Sequence, residues 1–594
     1  MSFFMGVVLV CPIHYQSLTE RDGRDSFYNR CGMKYIAALL PVLVALPLPV
    51  PALNADPARP AAADVERLGT VSFSTSCSPE VQASFNRGTA LLHDFWYEEA
   101  EKQFEAIAKA DPACAMAHWG NAISEFHQIW NRPDEKTMAR GWAEMQKAQS
   151  PPAKTERERE YIAALSGFYQ PGPLAYQPRA EAYSAAMAKL YSHYPDDIDA
   201  GAFYALSVLA SESPTDTSLA HERQALAILN PLFARYPDHP GLAHYIIHAC
   251  DTPSLARQGL AAAERYGAIA PSAPHSAHMP GHIFARLGMW QQDIDANLAS
   301  VAASQNAEAK QQSGAFNQLH ADDFLLYAYL QSGQEAKAKA VVERAAALIS
   351  RFEGMPHMAT HGMDGMLAAY RGEMPAIYYL EMRDWKSSSA LEPVADALPE
   401  AQTVTYWARA IAAGHLHDPS AARAGLAKYE ALMEEVRRGK RAYLADSTFA
   451  QIEHGEILAW TAFAEGKRDD ALKQMRASAD LQDKVGQGEV DIPAREMLAD
   501  MLLESHQPRE ALVEYDLALN MSPKRFNGLY DAGLAAEAEG DKAGAARYYG
   551  ALLKATDNGS QSARPEFAHV KTFVTSTAGQ SPLAQAQPRV TAAR

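Results

Sequence analysis

The sequence has no surplus of positive charge: 54 Lys and Arg stand against 71 Asp and Glu. A nucleic-acid or anionic-membrane binder needs a basic face for its phosphate contacts. The acidic balance therefore excludes those classes and reads as a solvated surface. Cysteine is scarce, and beyond the N-terminal apolar segment only Cys77, Cys114 and Cys250 remain, enough for one bridge. Outside that segment no run approaches the roughly 20 apolar residues of a spanning helix. Runs of β-branched residues are few, and no convincing strand appears. Standard catalytic signatures are missing too. There is no HExxH, so the chain is not a zincin. No GxGxxG, Walker A loop or GxSxG elbow occurs either.

What remains is an ordinary globular composition, 48% hydrophobic and 21% charged, on a chain of 594 residues, too long for one compact core. Residues 33–55, MKYIAALLPVLVALPLPVPALNA, carry one Lys, an apolar run and a small residue before a polar stretch. That is the layout of a secretory signal peptide, with translation starting at Met33 and residues 1–32 as an extension. Pro41, Pro47, Pro49 and Pro51 break the run too early for a membrane anchor. The expected compartment is the periplasm or the exterior, where cysteines meet oxidising conditions. Cys77 and Cys114 each precede a predicted repeat helix, so stacking would bring them close enough to bridge, whereas Cys250 reads as a small core residue.

After a Pro/Ala-rich linker at 56–75, Ala, Leu, Glu and Lys dominate with helical periodicity. Gly88, Ala100, Phe104 and Pro112 have the mutual spacing of a tetratricopeptide (TPR) unit. A small residue lets two antiparallel helices approach, an aromatic wedges between them, and a proline starts the next helix. Gly333, Ala338, Val342 and Ala345 follow the same ruler, as do Ala511, Tyr515, Ala518 and Pro523, then Gly533, Gly540, Ala545 and Tyr549. Trp407–Leu426 and Gly455–Ala477 fit more loosely. The resemblance to TPR proteins covers most of residues 80–555. It implies an all-α, TPR-like helix-turn-helix solenoid, a superhelical array in two halves. The expected layout is an array at 76–350, a helical junction at 351–400, a second array at 401–563 and a disordered tail at 564–594.

Histidines supply the one constellation that could carry chemistry. In HPGLAHYIIHACD, His244 and His248 lie four apart on one helix face, with Asp251 near it. PHSAHMPGHIFARLG carries His275, His278 and His282. His244 to His278 and His248 to His282 are each 34 residues, the TPR period. Equivalent positions of neighbouring repeats sit side by side, so two histidine pairs would face each other across one step of a concave groove. His320, Asp323 and Tyr327 fall on the corresponding face of the next unit. Imidazole and carboxylate suit a divalent transition metal (Zn, Cu, Ni or Fe), with His244, His248, Asp251, His278, His282 and His320 as candidate ligands. Against this stands a polar groove lining inherited by repeat duplication, in which Pro280 and Gly281 kink the helix. Trp119 and His127 would face the same groove, where aromatics anchor peptides or apolar ligands. Met355–Met363, with His357 and His361 among methionines, is a weaker copper-like pattern or a helix junction.

The HYxxH and HxxHMPxHIF-like stretches together resemble exported bacterial TPR proteins, a likeness that implies fold and export and no activity. Three functions follow. The leading one is a scaffold holding a protein, peptide or small ligand in its groove, with residues 485–553 as the partner-binding half, no nucleic acid and no membrane span after signal cleavage. The second is a metalloprotein, including a metal-dependent hydrolase. The third is an assembly factor that self-associates through its end repeats. The sequence offers no catalytic residue by motif.

Overall fold

The structure, a computed structural model, describes residues 66–129, 132–353, 363–395, 397–488 and 490–578. The apolar segment 33–55 and the His357/His361 stretch lie outside these residues. From Arg67 on, the described chain is one unit. Every regular element in it is a helix, and each helix packs mainly on the next in the chain, giving an all-α solenoid of paired helices. No helix among the described residues is long and apolar enough to cross a membrane.

The TPR-like ruler works through glycine and an aromatic wedge. Phe104, fully buried, reaches from helix Tyr97–Ala110 across Gly88 of Gln82–His93 and Gly120 of Ala115–Ser124. A Cβ on either glycine would lie 2.8 or 2.2 Å from its ring. The same device recurs at Gly141 with Tyr169, Gly414 with Trp460 and Gly533 with Tyr549, each with a notional Cβ 2.2–2.3 Å from the aromatic side chain. Helix starts are marked by Asx and Ser/Thr caps, including Asp134, Asp197, Ser447 and Asp541, and by a full capping box of Thr155 with Glu158.

Three boundaries differ from the sequence reading. Residues 67–75 are not linker: Phe73 is fully buried, its ring 5.1–5.6 Å from those of Phe85, Trp119 and Tyr161. A single aromatic in a Pro/Ala-rich stretch gives no periodic signal, yet it fills the open end of the first repeat. The two hydrophobic cores change over between Ala285 and Ala307, along helix Trp290–Ala309, rather than at 351–400. The chain past residue 563 is not disordered at once. Helix Glu566–Ala578 packs on Lys542–Ala555, with Phe567 and Val570 buried and Phe573 and Val574 partly so. That i, i+3, i+6, i+7 stripe is apolar within a segment whose overall composition is polar. Cys77 and Cys114 form a disulfide with Cα atoms 4.8 Å apart, and Cys250 is a free, buried thiol.

Candidate metal centre

Four helices bring the histidines together. Pro240–Cys250 starts on Pro240 and carries His244 and His248 one turn apart. The next repeat's first helix is broken in two, Pro274–His278 and Pro280–Arg286, because Pro280 has no N–H to continue the ladder. Those pieces carry His275, His278 and His282. Helix Ala315–Gln331 supplies His320 and packs on Pro274–His278.

The six imidazoles form two sets of three. One ring nitrogen from each of His244, His248 and His275 lies within 4.8 Å of the other two, and the same holds for His278, His282 and His320. The sets abut, with ring centroids of His275 and His278 5.9 Å apart and those of His248 and His282 6.3 Å apart. Four of the six are buried, while His248 and His320 are half-buried.

Hydrogen bonds on the outer nitrogens fix which nitrogen faces in. His282 Nδ1 lies 2.9 Å from the Asp251 carboxylate, which can only accept, so Nδ1 carries the proton. His278 Nδ1 lies 2.6 Å from Asn297 Oδ1. The Asn297 amide is oriented by its Nδ2, which donates to the Asp293 carbonyl at 2.9 Å, so Oδ1 must be the atom turned to His278. His278 Nδ1 is therefore also a donor. In the neutral state both Nε2 atoms bear lone pairs, and they face each other at 2.8 Å. Two lone pairs at that distance repel unless a cation lies between them. In the other set His244 Nδ1 donates to the His93 carbonyl at 2.6 Å, and its Nε2 lies 3.0 Å from His248 Nε2. Tyr370 Oη, 3.1 Å away, holds His320 Nδ1. Outer partners of this kind set imidazole tautomer and basicity in metal sites.

Burial opposes a proton on five of the six rings. It lowers the pKa of His244 and His320 to about 3 and takes His248, His275 and His278 well below the usual imidazole value, with neighbouring imidazoles pushing the same way. Those five rings are thus neutral nitrogen donors. Each set also rests on a phenylalanine. Phe95, at φ 54°, lies 4.3, 5.4 and 5.7 Å from the rings of His244, His248 and His275. Phe324 lies 4.7, 4.8 and 5.5 Å from those of His278, His282 and His320. A left-handed phenylalanine is strained and is held there by its packing.

Several expectations drawn from the sequence move accordingly, beginning with Asp251. It is not among the converging donors: its Oδ2 holds His282 and its Oδ1 accepts from Arg286 Nε at 3.0 Å. His275, left out of the candidate ligands, completes the first set; its place one turn before His278 was the available signal. Tyr370 and the His93 carbonyl were missed because they belong to other repeats, and Asn297 because it sits on the second helix of the same repeat. The groove reading fails for Trp119, His244, Asp251, His278, His282, Asp323 and Tyr327, all of them buried. Trp119 fills the core beside Phe73. Tyr327 donates to the Asp491 carbonyl and accepts from Arg525. The histidine rings are covered by Phe95 and Phe324, and His320 by the helix bearing Tyr370. His127 is half-buried and stacks on Tyr97, with centroids 4.3 Å apart.

A third group, His93, Asp199 and His239, is closed on itself. One Asp199 oxygen takes both imidazoles, at 2.9 and 3.2 Å, and the other nitrogen of His93 meets Tyr245 Oη at 2.9 Å. It is a network that fixes the His93 carbonyl against His244.

No protein-family model matches the chain, and no curated protein matches it. Among solved structures it is similar to a human IFIT1 dimer with m7Gppp-AAAA, at 10% identity and TM-score 0.35, over 78% of this chain and 94% of that one. It is also similar to the P58(IPK) TPR domain, at 15% identity and TM-score 0.20, over 66% and 100% of the two chains. A third is Naa15/Naa10 bound to HypK-THB, at 12% identity and TM-score 0.20, over 84% and 93%. Scores this low carry no argument, and the fold assignment rests on the helix pairing and glycine–aromatic wedges described above.

Proposed function

We propose that the protein is a metalloprotein holding two transition-metal ions side by side, one on His244, His248 and His275 and one on His278, His282 and His320. The observation that carries this is the 2.8 Å approach of two Nε2 atoms whose Nδ1 nitrogens are committed outward. Six imidazoles with no carboxylate or thiolate among the converging donors suit copper or zinc better than magnesium, calcium or an iron–sulfur cluster. Three protein donors per ion leave coordination positions for an outside ligand, the pattern of reactive rather than purely structural sites. The Cys77–Cys114 disulfide accords with an exported protein, and we place the centre outside the cytoplasm.

The test is elemental mass spectrometry of the purified protein beside His244→Ala, His278→Ala and the double variant, with helicity checked by circular dichroism. The expected contents are about two ions per parent chain, about one in each single variant and none in the double. A parent chain that stays metal-free in excess copper and excess zinc while folded would overturn the reading.

One observation also favours a partner-binding role for the C-terminal half. Val513 and Leu517, 57% and 43% exposed, lie one turn apart on the outer face of helix Pro508–Met521. Val513→Asp/Leu517→Asp would abolish capture of such a partner and leave the metal content unchanged.

A further inference from the structure

A cavity of about 310 Å³ lies between the Met363–Glu381, Pro399–His415 and Thr448–Ala464 helices and the segment after Phe126. Its walls are largely apolar and aromatic, with Tyr176, Trp407, Tyr443 and Phe449 among them. Six carboxyl groups also line it: Glu400 pairs with Arg441 and Glu212 lies beside Glu222, which leaves the four of Glu373, Glu453, Glu456 and Asp491. Among the described residues none of the four forms an ion pair with Lys or Arg. Glu456 accepts from Trp407 Nε1 at 2.7 Å and Glu453 from Tyr429 Oη at 2.9 Å, both neutral donors. The cavity's arginine, Arg132, is spent on aromatic faces, 3.9 Å from the Tyr443 ring centre and 4.9 Å from that of Tyr176.

A second, independent feature points to a ligand. Gln128 lines the same cavity, is 4% exposed, and its side-chain Oε1 has no hydrogen-bond partner among the described residues. A buried amide oxygen left unsatisfied is unfavourable, and a ligand donor would satisfy it.

We propose that this cavity binds a small organic ammonium ion with an apolar or aromatic body. Glu373, Glu453 and Glu456, which form no ion pair with Lys or Arg among the described residues, supply the charge complement, and aromatic faces attract ammonium groups within about 6 Å of their centres. The volume sits at the lower end of small-molecule pockets. A bare metal ion fits less well, since the four carboxyls do not contribute three oxygens within 4.8 Å of one another. Burial and mutual repulsion raise Glu373 to about 8 and Glu453 to about 7, as expected of acids awaiting a countercharge. The inference rests on the cavity and not on the histidine centre.

Isothermal titration of the purified full chain tests it. The probes are phenethylamine, hexylamine and benzyltrimethylammonium, with phenethyl alcohol as neutral isostere and 3-phenylpropionate as anion. Benzyltrimethylammonium has no lone pair, so metal coordination cannot produce its binding, and chelator-treated protein should bind it equally well. At least one ammonium probe is expected to bind about tenfold or more tighter than the alcohol, with the anion weaker still. Glu373→Gln/Glu456→Gln, folded by circular dichroism, should lose about tenfold or more. Parity between amine and alcohol, no ammonium binding below about 10 mM, or an unchanged folded variant would each overturn the proposal.

Discussion

Replacing Asp251 by Asn separates the two proposed metal positions. Asp251 Oδ2 accepts the Nδ1 proton of His282 at 2.9 Å, and Oδ1 accepts from Arg286 Nε at 3.0 Å. Asparagine keeps the shape but has one acceptor oxygen, so it can serve Arg286 or His282 and must turn an N–H toward the other. The imidazole loses its anionic partner and its fixed tautomer. Loss of such an outer partner weakens metal binding about 10–100-fold, or about 1.4–2.8 kcal/mol. Only the set His278, His282 and His320 should feel it, because His244 is oriented by the His93 carbonyl, more than 150 residues earlier in sequence. The assay is competition with a chromophoric chelator, run on Asp251→Asn in a His244→Ala background and separately in a His278→Ala background. The first pair should show the 10–100-fold loss and the second less than about twofold. Equal losses in both backgrounds would refute independent outer support, and no loss in either would refute the role of Asp251.

Other expectations concern the array and its buried charges. Phe104→Ala removes the wedge shared by Gly88 and Gly120 and should cost about 3–5 kcal/mol, read as a lower urea midpoint. Arg525, fully buried, bonds Glu496 at 2.7 and 2.9 Å and Glu381 at 2.8 Å, so Arg525→Met strands two buried carboxylates and should cost about 3–5 kcal/mol. Most of that loss should return in Arg525→Met/Glu381→Gln/Glu496→Gln. Glu373 has its folded pKa raised to about 8, so the native chain binds more protons than the unfolded one between about pH 4.5 and 8. Its presence therefore costs stability as pH rises through that window. The advantage of Glu373→Gln over the parent should grow by up to about 1.4 kcal/mol per pH unit and level off above pH 8, measured by denaturant titration at several pH values. An advantage that shrinks with rising pH would refute the assignment.

The repeat architecture was legible because it is local. Gly88 and Phe104, or Gly533 and Tyr549, lie within one helical hairpin, and their spacing alone encodes the close approach. The histidine echo was legible for the same reason, since a 34-residue interval reports adjacency of successive repeats. What covers those histidines was not. Phe95 comes from the first repeat and Tyr370 from a helix beyond the next, and no periodicity links 95 or 370 to 244–320. That is why positions read as groove lining turned out to be interior. Asp251 was misread as a ligand for a related reason. Sequence gives its place on the helix face but not the Arg286 guanidinium that turns it outward. The short helix after residue 565 escaped because its four apolar side chains are diluted by polar neighbours.

The centre stands where the repeat pattern is broken, and the breaks are what make it possible. In the repeats that follow the ruler, a glycine facing the neighbouring helix admits an aromatic wedge. In the repeat that starts at Pro274, Gly281 faces helix Trp290–Ala309 and admits polar groups instead. A Cβ there would lie 2.7 Å from Asn297 Nδ2 and 2.8 Å from Asp293 Oδ1. The missing side chain is what lets Asn297 come close enough to hold His278, while Pro280 separates the helix carrying His275 and His278 from the one carrying His282. The outward partners then come from residues 93, 251, 297 and 370, drawn from four separate helical hairpins. No single repeat can orient these imidazoles alone. A centre with that dependence forms only after neighbouring repeats have stacked, so the proposed metal binding would report on the integrity of the array and stabilise it by the same linkage.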